Sequence, residues 1–145
     1  RLRRYFPGCA LTADMITGFP GETEADQAAA VTFLEQVGFA AVHVFPYSRR
    51  PGTKADAMPE QLSHAVKSAR AHEAQRVADA CKQRYLAQQV GRILPVLFET
   101  EHDGNWVGHS DNYCLVRAAG DDLRGLVKNV KISAVSGQML VGDLV

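Results

Sequence analysis

From Val90 to the end of the chain, apolar residues recur at about every second position, and turn-forming residues interrupt them at short intervals. A period of two is typical of β-strands that bury one face. Gly, Asp, Asn and Ser occupy the intervening turns. The predicted strands are Arg92 to Thr100, Asn105 to His109, Tyr113 to Ala118, Leu126 to Val135, and Met139 to Val145. Five short strands in about 55 residues favour a small closed β-barrel of the oligonucleotide-binding (OB) type.

The region before it predicts a strand–helix–strand unit. A β-compatible run, Leu11 to Thr17, ends in a turn rich in glycine and proline. Thr23 then forms a helix cap with Asp26 three residues later, the helix stops at Gly38, and a second strand covers Ala40 to Phe45. Such a crossover belongs to a parallel sheet covered by helices. Two strands do not make that sheet alone, so either residues 1–8 pair poorly with them or the N-terminal part of a larger α/β domain is missing.

A long helix is predicted between the two regions, from Glu60 to Gln89. Its apolar stripe is thin, which suits a helix on a surface or between two domains; the stripe comprises Leu62, Val66, Ala69, Val77 and Ala80. We therefore expect a mixed α and β chain in three parts: a partial α/β domain in residues 1–59, a linker helix in residues 60–89 and the β-barrel in residues 90–145.

Charge and composition exclude several classes of protein. The net charge is zero, with sixteen basic and sixteen acidic residues, so the whole molecule is not a basic nucleic-acid clamp. Residues 49–89 carry eight basic and four acidic side chains, whereas residues 90–145 carry five and seven. No apolar run approaches the roughly 20 residues that span a bilayer, and we expect a cytoplasmic location. Three dispersed cysteines fit neither a disulfide framework nor a metal site, so we expect reduced, structural thiols.

Two segments carry candidate ligand contacts. Gly18 to Thr23 lies between a strand end and a helix start, where α/β proteins bind ligands, although a tight turn explains the same glycines. Val44, Phe45 and Pro46 are suited to form an apolar wall for a purine ring. Arg49 and Arg50 follow them and are suited to bind phosphates, or are simply a solvated pair on a loop.

In the barrel, the segment Gly108 to Tyr113 joins two predicted strands. Trp106 and Tyr113 are suited to stack on unpaired bases if exposed, and belong to the core if buried; for a lone tryptophan, the core is the more frequent outcome. No Ser/His/Asp, Cys/His or paired-carboxylate arrangement stands out, so the residues predict no catalytic group.

Several segments in order resemble the C-terminal part of the radical S-adenosylmethionine methylthiotransferases. They are Asp14 to Thr23, Val42 to Thr53 followed by Met58-Pro59, Val90 to Arg92, and Gly108 to Tyr113. The amino-acid sequences of the second and last segments are most similar to those of the branch that modifies threonylcarbamoyl-adenosine in tRNA. The isopentenyl-adenosine branch and the ribosomal-protein branch are close competitors.

The resemblance implies an N-terminal domain with one [4Fe-4S] cluster, a radical barrel with a second cluster held by a CxxxCxxC motif, and an RNA-binding TRAM barrel. This chain contains no CxxxCxxC, and so resembles a fragment that is inactive alone and binds neither cluster nor S-adenosylmethionine. By similarity, Thr17, Gly18 and Gly21 lie near the methionine and ribose of that cofactor. Val44, Phe45 and Pro46 lie near its adenine.

The resemblance predicts that the parent protein adds a methylthio group to C2 of a modified adenosine next to the anticodon. The expected partner is the tRNA anticodon stem-loop, and the fragment is expected to self-associate. Expected RNA contacts are Arg49, Arg50, Arg92, Lys128 and Lys131. Alternatives are a non-catalytic RNA-binding module, a fragment of a ribosomal-protein methylthiotransferase, and a partial barrel of another enzyme family whose glycine-rich turn holds a phosphate.

Overall fold

A computed structural model of the chain describes residues 2–145 and contains both helices and strands. It divides into two compact units, one formed by Leu11–Lys82 and the other by residues 2–10 together with Gln83–Val145. The elements in chain order are α1 (Leu2–Tyr5), β1 (Thr12–Thr17), α2 (Glu24–Val37), β2 (Ala41–Pro46), α3 (His64–Ala87), β3 (Ile93–His102), β4 (Asn105–Ser110), β5 (Leu115–Ala119), β6 (Val127–Ser136) and β7 (Met139–Leu144).

In the unit Leu11–Lys82, the predicted strand–helix–strand arrangement is confirmed. β1 and β2 pair in parallel from Thr12 opposite Ala41 to Thr17 opposite Pro46, and α2 connects them. The helix begins with a reciprocal capping box between Thr23 and Asp26. It ends at Gly38, whose left-handed backbone (φ 62°) lets its N–H reach the carbonyl of Leu34.

The helix α3 is shorter than predicted, and its buried stripe differs in part from the predicted one. It begins at His64 rather than Glu60, and Ala69 and Ala80 of the predicted stripe are exposed. In the unit Leu11–Lys82 the helix instead packs Ala74 and Ala78 against α2 and β2, where Leu34 and Val42 complete the core. Val77 of the predicted stripe does pack against this core, but Ala74 and Ala78 lie in it where the prediction had Ala69 and Ala80. Small residues at these positions allow the helix to approach its neighbours closely.

One face of the two-stranded sheet carries this core, and the other face is exposed. Asp14 and Ile16 of β1 lie on the exposed face beside His43 and Phe45 of β2, as the register requires. Residues 2–8 do not extend the sheet, since Leu2–Tyr5 is helical and belongs to the other unit. Residues 2–8 therefore add no strand to β1 and β2, in line with the poor pairing expected of them, and Arg1 lies outside the described residues.

The strands β3 to β7 form the predicted barrel, closed in the order β3-β4-β5-β7-β6 and consistent with the OB type. Alternate side chains fill its interior, including Val96, Phe98, Val116, Val130 and Leu140, each fully buried. All predicted strand ends agree with the observed ones within two residues, including the start of β5. Tyr113 was expected there, but its backbone is left-handed (φ 61°) and the strand begins at Leu115.

No helix within residues 2–145 combines the length and the apolar character that a membrane crossing needs.

The capping box of Thr23 and Asp26 predicts how the stability of the unit Leu11–Lys82 depends on pH. The backbone N–H of Thr23 and then its hydroxyl donate to the Asp26 carboxylate and lower the pKa of Asp26. A pKa below the unfolded value of about 3.9 means that the ionised carboxylate stabilises the fold above that pH, and that this contribution is lost as the pH falls through the lowered pKa. Asp26→Asn should therefore lower the Tm at pH 7, and the Tm difference should shrink below about pH 4.

Glu35→Gln removes the same charge near the other end of α2 and serves as the control. It should leave the Tm at pH 7 unchanged or slightly raised, because a carboxylate is unfavourable near a helix C-terminus. A difference between Asp26→Asn and the parent that stays constant down to pH 2 would contradict the assignment.

Candidate functional site

The carboxyl edge of the two-stranded sheet brings several predicted ligand residues together. Thr17 and Pro46 form the last residue pair of the register, and Gly18 follows directly with φ 72°. The N–H of Tyr47 donates to the carbonyl of Thr17 at 2.8 Å, which extends the pairing past the strand end. Ligands of parallel α/β sheets bind at this edge, so the position of these residues suits a ligand contact.

A buried ion-pair network closes the turn after Gly18. The Gly18 N–H donates to the carboxylate of Glu22, and Arg70 of α3 binds the same carboxylate at 2.8 Å. Arg70 also binds Glu24 at 2.6 Å, and only 6% of its side chain is exposed. The hydrogen bond from Arg70 to Glu24, followed by that to Glu22, raises the pKa of Arg70 above its usual value. Sequence reasoning missed this ion pair, because Arg70 lies 48 residues from Glu22 along the chain.

The hydroxyls of Thr17 and Tyr47 are buried at this edge and have no hydrogen-bond partner among the described residues. Thr17 is completely buried at the end of β1. Buried polar groups in folded proteins are nearly always hydrogen-bonded. The Thr17 hydroxyl is therefore well suited to contact a polar group of a small molecule.

The glycines of this turn, Gly18 and Gly21, also contact residues outside it. A Cβ on Gly18 would overlap the side chain of Lys67, so the absence of a side chain at Gly18 makes room for α3. The N–H of Gly21 donates to the carbonyl of Glu60 at 3.2 Å. Both glycines have positive φ (72° and 80°), which the tight-turn interpretation explains, and the contact with Lys67 is a second reason for Gly18.

The predicted apolar wall is divided between the two faces of β2. Val44 packs against the core cluster beneath the sheet. Phe45 is 52% exposed on the opposite face, next to Ile16 of β1 and 6.4 Å from the ring of His43. Pro46 is exposed at the strand end. An apolar contact on the open face of the sheet therefore involves Phe45 and Ile16 rather than three consecutive residues.

In the loop after β2, Arg49 is engaged locally. Its guanidinium binds the carboxylate of Asp56 at 2.7 Å and the Asp56 carbonyl at 2.9 Å. Arg50 is exposed, and its carbonyl accepts a hydrogen bond from the Thr53 hydroxyl at 2.8 Å. An RNA phosphate would have to compete with Asp56 for Arg49, whereas Arg50 is open to solvent.

The cofactors that the family resemblance implies fit these residues unequally. No three His, Cys, Asp or Glu side chains within residues 2–145 are grouped so that they can hold a metal ion. Cys81 and Cys114 are buried, and Cys81 contacts the carbonyl of Leu34. An iron–sulfur cluster, which is bound by several thiolates in close array, does not fit these residues. For S-adenosylmethionine, the buried Thr17 hydroxyl without a partner among the described residues is compatible with a polar contact.

The outer face of the barrel contains an open groove of about 380 Å³. Its floor crosses three strands, since Leu97 pairs with His109 on one side and with Val127 on the other. Tyr113 stands at the rim and is 86% exposed. Trp106 is only 5% exposed and belongs to the barrel core. Tyr113 is therefore the aromatic side chain of the pair that is available for stacking.

A hydrogen-bond network fixes the turn before Tyr113. The Asn112 amide donates to the Tyr85 hydroxyl and to Gln89, both at 3.1 Å, and accepts from the Ser110 hydroxyl at 2.6 Å. The Tyr85 hydroxyl donates to the carbonyl of Gly8 at 3.0 Å. Burial raises the pKa of Tyr85. Sequence reasoning recognised Asn112 only as a turn former, because its partners lie more than 20 residues away.

The predicted basic RNA contacts of the barrel do not form one patch. Lys131 lies opposite Ile93 and faces outward, whereas Lys128 lies opposite Val96 and has the inward orientation of the strand. Both lysines are exposed, and Arg92 is held by Gln89 through a hydrogen bond of 2.6 Å. The spacing of three residues already implied opposite faces, since strand side chains alternate.

No family model matches the chain. It is 37% identical over 138 residues to the threonylcarbamoyladenosine tRNA methylthiotransferase of Bacillus subtilis, a match that covers 91% of this chain and 31% of that enzyme. It is 40% identical over 147 residues to the tRNA-2-methylthio-N(6)-dimethylallyladenosine synthase of Maricaulis maris (99% of this chain, 32% of that enzyme). The synthase of the same name from Campylobacter jejuni is 35% identical over 147 residues (100% and 34%). The chain spans about a third of the length of these relatives. Because it is 35–40% identical to these enzymes over nearly its whole length, the chain belongs to the tRNA methylthiotransferase family and corresponds to the C-terminal part of such enzymes.

Proposed function

We propose that the protein containing this chain adds a methylthio group to C2 of a modified adenosine next to the anticodon of tRNA. The observation that carries the proposal is the identity of 35–40% over 91–100% of the chain to enzymes named for tRNA methylthiolation. Both named substrate branches occur among these relatives, at 37% and 40% identity. The proposed reaction places the protein in the cytoplasm with its tRNA.

In this proposal, residues 1–59 are the last part of a radical S-adenosylmethionine barrel, residues 60–89 the linker helix and residues 90–145 a TRAM barrel. When bound, the cofactor and its iron–sulfur clusters supply the radical and the methylthio group. The ligands of both [4Fe-4S] clusters lie outside this chain, so no step of the chemistry is assigned to its residues. The chain's own contribution is to border the cofactor and to bind tRNA.

At the sheet edge, Thr17 hydrogen-bonds a polar group of the cofactor, and Gly18 and Gly21 border the same position. The exposed face of Phe45, with Pro46 beside it, contacts the apolar adenine ring, and Val44 supports it from the core side. The pairing of Glu22 with Arg70 holds the turn that carries these groups. Orientation of the cofactor by fixed groups is the protein's usual role in such enzymes.

On the barrel, Lys131, Arg92 and Lys128 bind phosphates of the anticodon stem-loop. In the loop after β2, Arg50 and Arg49 are further phosphate contacts. Phosphate contacts of this kind make affinity depend steeply on salt. The unstacked bases of the loop are the usual targets of RNA-binding proteins. Self-association of the isolated chain is expected from the uncovered face of its two-stranded sheet.

Nucleoside mass spectrometry tests the proposal. Total tRNA is isolated from a strain that lacks its own methylthiotransferases and expresses the full-length protein that contains this chain. We expect a methylthio group on one modified adenosine, either the threonylcarbamoyl or the dimethylallyl form, which identifies the branch. Unmodified tRNA together with a methylthiolated ribosomal protein would establish the ribosomal-protein alternative. Unmodified tRNA and ribosomal protein, with retained tRNA binding, would establish the non-catalytic alternative.

Thr17→Val tests whether the Thr17 hydroxyl contacts the cofactor, without disturbing the fold. The hydroxyl is buried without a partner among residues 2–145, so its loss should leave the Tm unchanged or slightly raised. Methylthiolation by the full-length protein should nevertheless fall about three- to tenfold, the value of one neutral hydrogen bond.

Thr32→Val is the matched control, since the Thr32 hydroxyl only bonds the carbonyl of Ala28 on the exposed side of α2. It should retain full activity. Full activity of Thr17→Val would show that the Thr17 hydroxyl contacts no cofactor.

A further inference from the structure

We propose that the groove beside Tyr113 binds a single unpaired nucleobase of the RNA, stacked on the tyrosine ring. The inference rests on the proposed RNA-binding role of the barrel and adds a defined base site to it. It depends on three observations: the shape of the groove, the exposure of Tyr113 and the backbone conformation that holds it there.

The groove has the chemistry of a base site. Leu97, Pro95 and Val127 provide an apolar floor, and His109 lies 6.4 Å from Tyr113, centroid to centroid, at an interplanar angle of 51°. The carboxylate of Glu99 binds Nδ1 of His109 at 2.6 Å at the rim. A nucleobase has apolar faces and a polar edge, so an apolar floor with hydrogen-bonding groups at the rim complements it.

The conformation of Tyr113 is unusual for its residue type. A bulky side chain at positive φ is rare and costs free energy, and such residues cluster at binding sites. Here the turn is anchored by Asn112 and Ser110, whose side chains bond each other and the end of the preceding helix. The anchored turn therefore presents an 86% exposed aromatic ring that contributes little to the core.

The position of the groove suits a nucleic-acid strand better than a peptide. Lys131 lies on the same outer surface of β6 as Val127, four residues along the strand, or about 13 Å. A strand that places one base in the groove can thus extend toward a basic side chain. Stacking on aromatic rings with phosphate contacts nearby is the usual arrangement for single-stranded RNA.

The test uses the 145-residue chain and an RNA hairpin whose loop contains the fluorescent base 2-aminopurine. The parent chain should bind the hairpin and change the 2-aminopurine emission. Tyr113→Ala should weaken the Kd roughly tenfold or more, by the same factor at low and high salt, because stacking releases no counterions. Tyr113→Phe should keep the parent Kd, since the ring carries the contact.

Two further variants control for folding and for exposed tyrosines in general. Tyr113→Gly accommodates positive φ, so it should be at least as stable as the parent and still lose as much affinity as Tyr113→Ala. Tyr5→Ala removes a tyrosine that is 72% exposed outside the groove and should leave the Kd unchanged.

The outcomes separate this inference from the function on which it rests. If the parent binds the hairpin but Tyr113→Ala and Tyr113→Gly bind equally well, the base site is wrong and RNA binding by the barrel stands. If Tyr113→Phe loses as much affinity as Tyr113→Ala, the contact is polar and stacking is wrong. If the parent chain binds no RNA, both the base site and the proposed role of the barrel fail.

Discussion

Replacement of Arg70 by alanine is expected to lower the free energy of unfolding of the unit Leu11–Lys82 by about 3 kcal/mol. Arg70 is buried, and its guanidinium binds Glu22 at 2.8 Å and Glu24 at 2.6 Å. The side chain of Glu22 is only 13% exposed, so removing its partner leaves a largely desolvated carboxylate. The large expected loss of stability comes from leaving the Glu22 carboxylate without its partner, not from the net free energy of the ion pair itself.

Arg49→Ala provides the matched control. Arg49 also pairs with a carboxylate, at 2.7 Å from Asp56, but 57% of its side chain is exposed. Exposed pairs contribute about 0 to 1 kcal/mol, so this variant should unfold near the parent's denaturant midpoint. Urea denaturation with hydrogen exchange of the α2 amides measures both variants. Equal, small losses for the two would show that the Arg70 network does not hold the turn.

Arg70→Ala also tests the link between this network and the candidate cofactor edge. The turn from Gly18 to Glu22 should become mobile in the variant, because the Glu22 carboxylate that binds the Gly18 N–H loses its second anchor. Amide exchange at Gly18 should therefore accelerate more than exchange in the middle of β1. Uniform acceleration through the whole unit would indicate global destabilisation only.

Gly108→Ala is expected to destabilise the barrel by about 3 to 5 kcal/mol, or to prevent its folding. A Cβ at this position would overlap the backbone of Leu97 and Phe98 on the neighbouring strand. Backbone atoms of a paired strand cannot move aside without breaking the ladder between β3 and β4. Gly108 therefore permits the close approach of two strands, which is a frequent reason for glycine inside a strand.

Gly120→Ala is the control for this substitution. Its Cβ would meet only side-chain atoms of Leu123 and Leu144, which can rotate away. We expect a loss below about 1.5 kcal/mol. Thermal unfolding followed by the near-ultraviolet signal of Trp106, a core residue of the barrel, compares the two. A Gly108→Ala protein with the parent's Tm would show that the strands are further apart than the structure has them.

Features governed by neighbouring residues could be read directly from the sequence. The alternation after Val90 predicted five strands within a few residues of their observed bounds, because side chains on a strand alternate between the two faces regardless of the partner strand. The capping box of Thr23 and the stop at Gly38 were likewise predictable, since both depend on hydrogen bonds within one helix turn.

The sequence also identified the family, because several segments from Asp14 to Tyr113, taken in order, resemble it.

The exposure of a side chain is harder to predict from such segments. Trp106 and Tyr113 were both candidates for stacking, with the core the more frequent place for a lone tryptophan, and the packed barrel shows that Trp106 is core and Tyr113 exposed. The left-handed turn at Tyr113 also shortened β5, because the Asn112 network holds the chain away from the strand conformation.

The tertiary structure alone decided which residues hold the candidate sites in place. Glu22 meets Arg70 across 48 residues, and Asn112 meets Tyr85 across 27. Neither pair has a periodic or local signal, since each contact forms only after folding, that of Arg70 within the unit Leu11–Lys82 and that of Tyr85 within the unit that contains the barrel. The order of the elements thus follows from short-range patterns, whereas the geometry of both candidate sites follows from long-range hydrogen bonds that only the packed chain brings together.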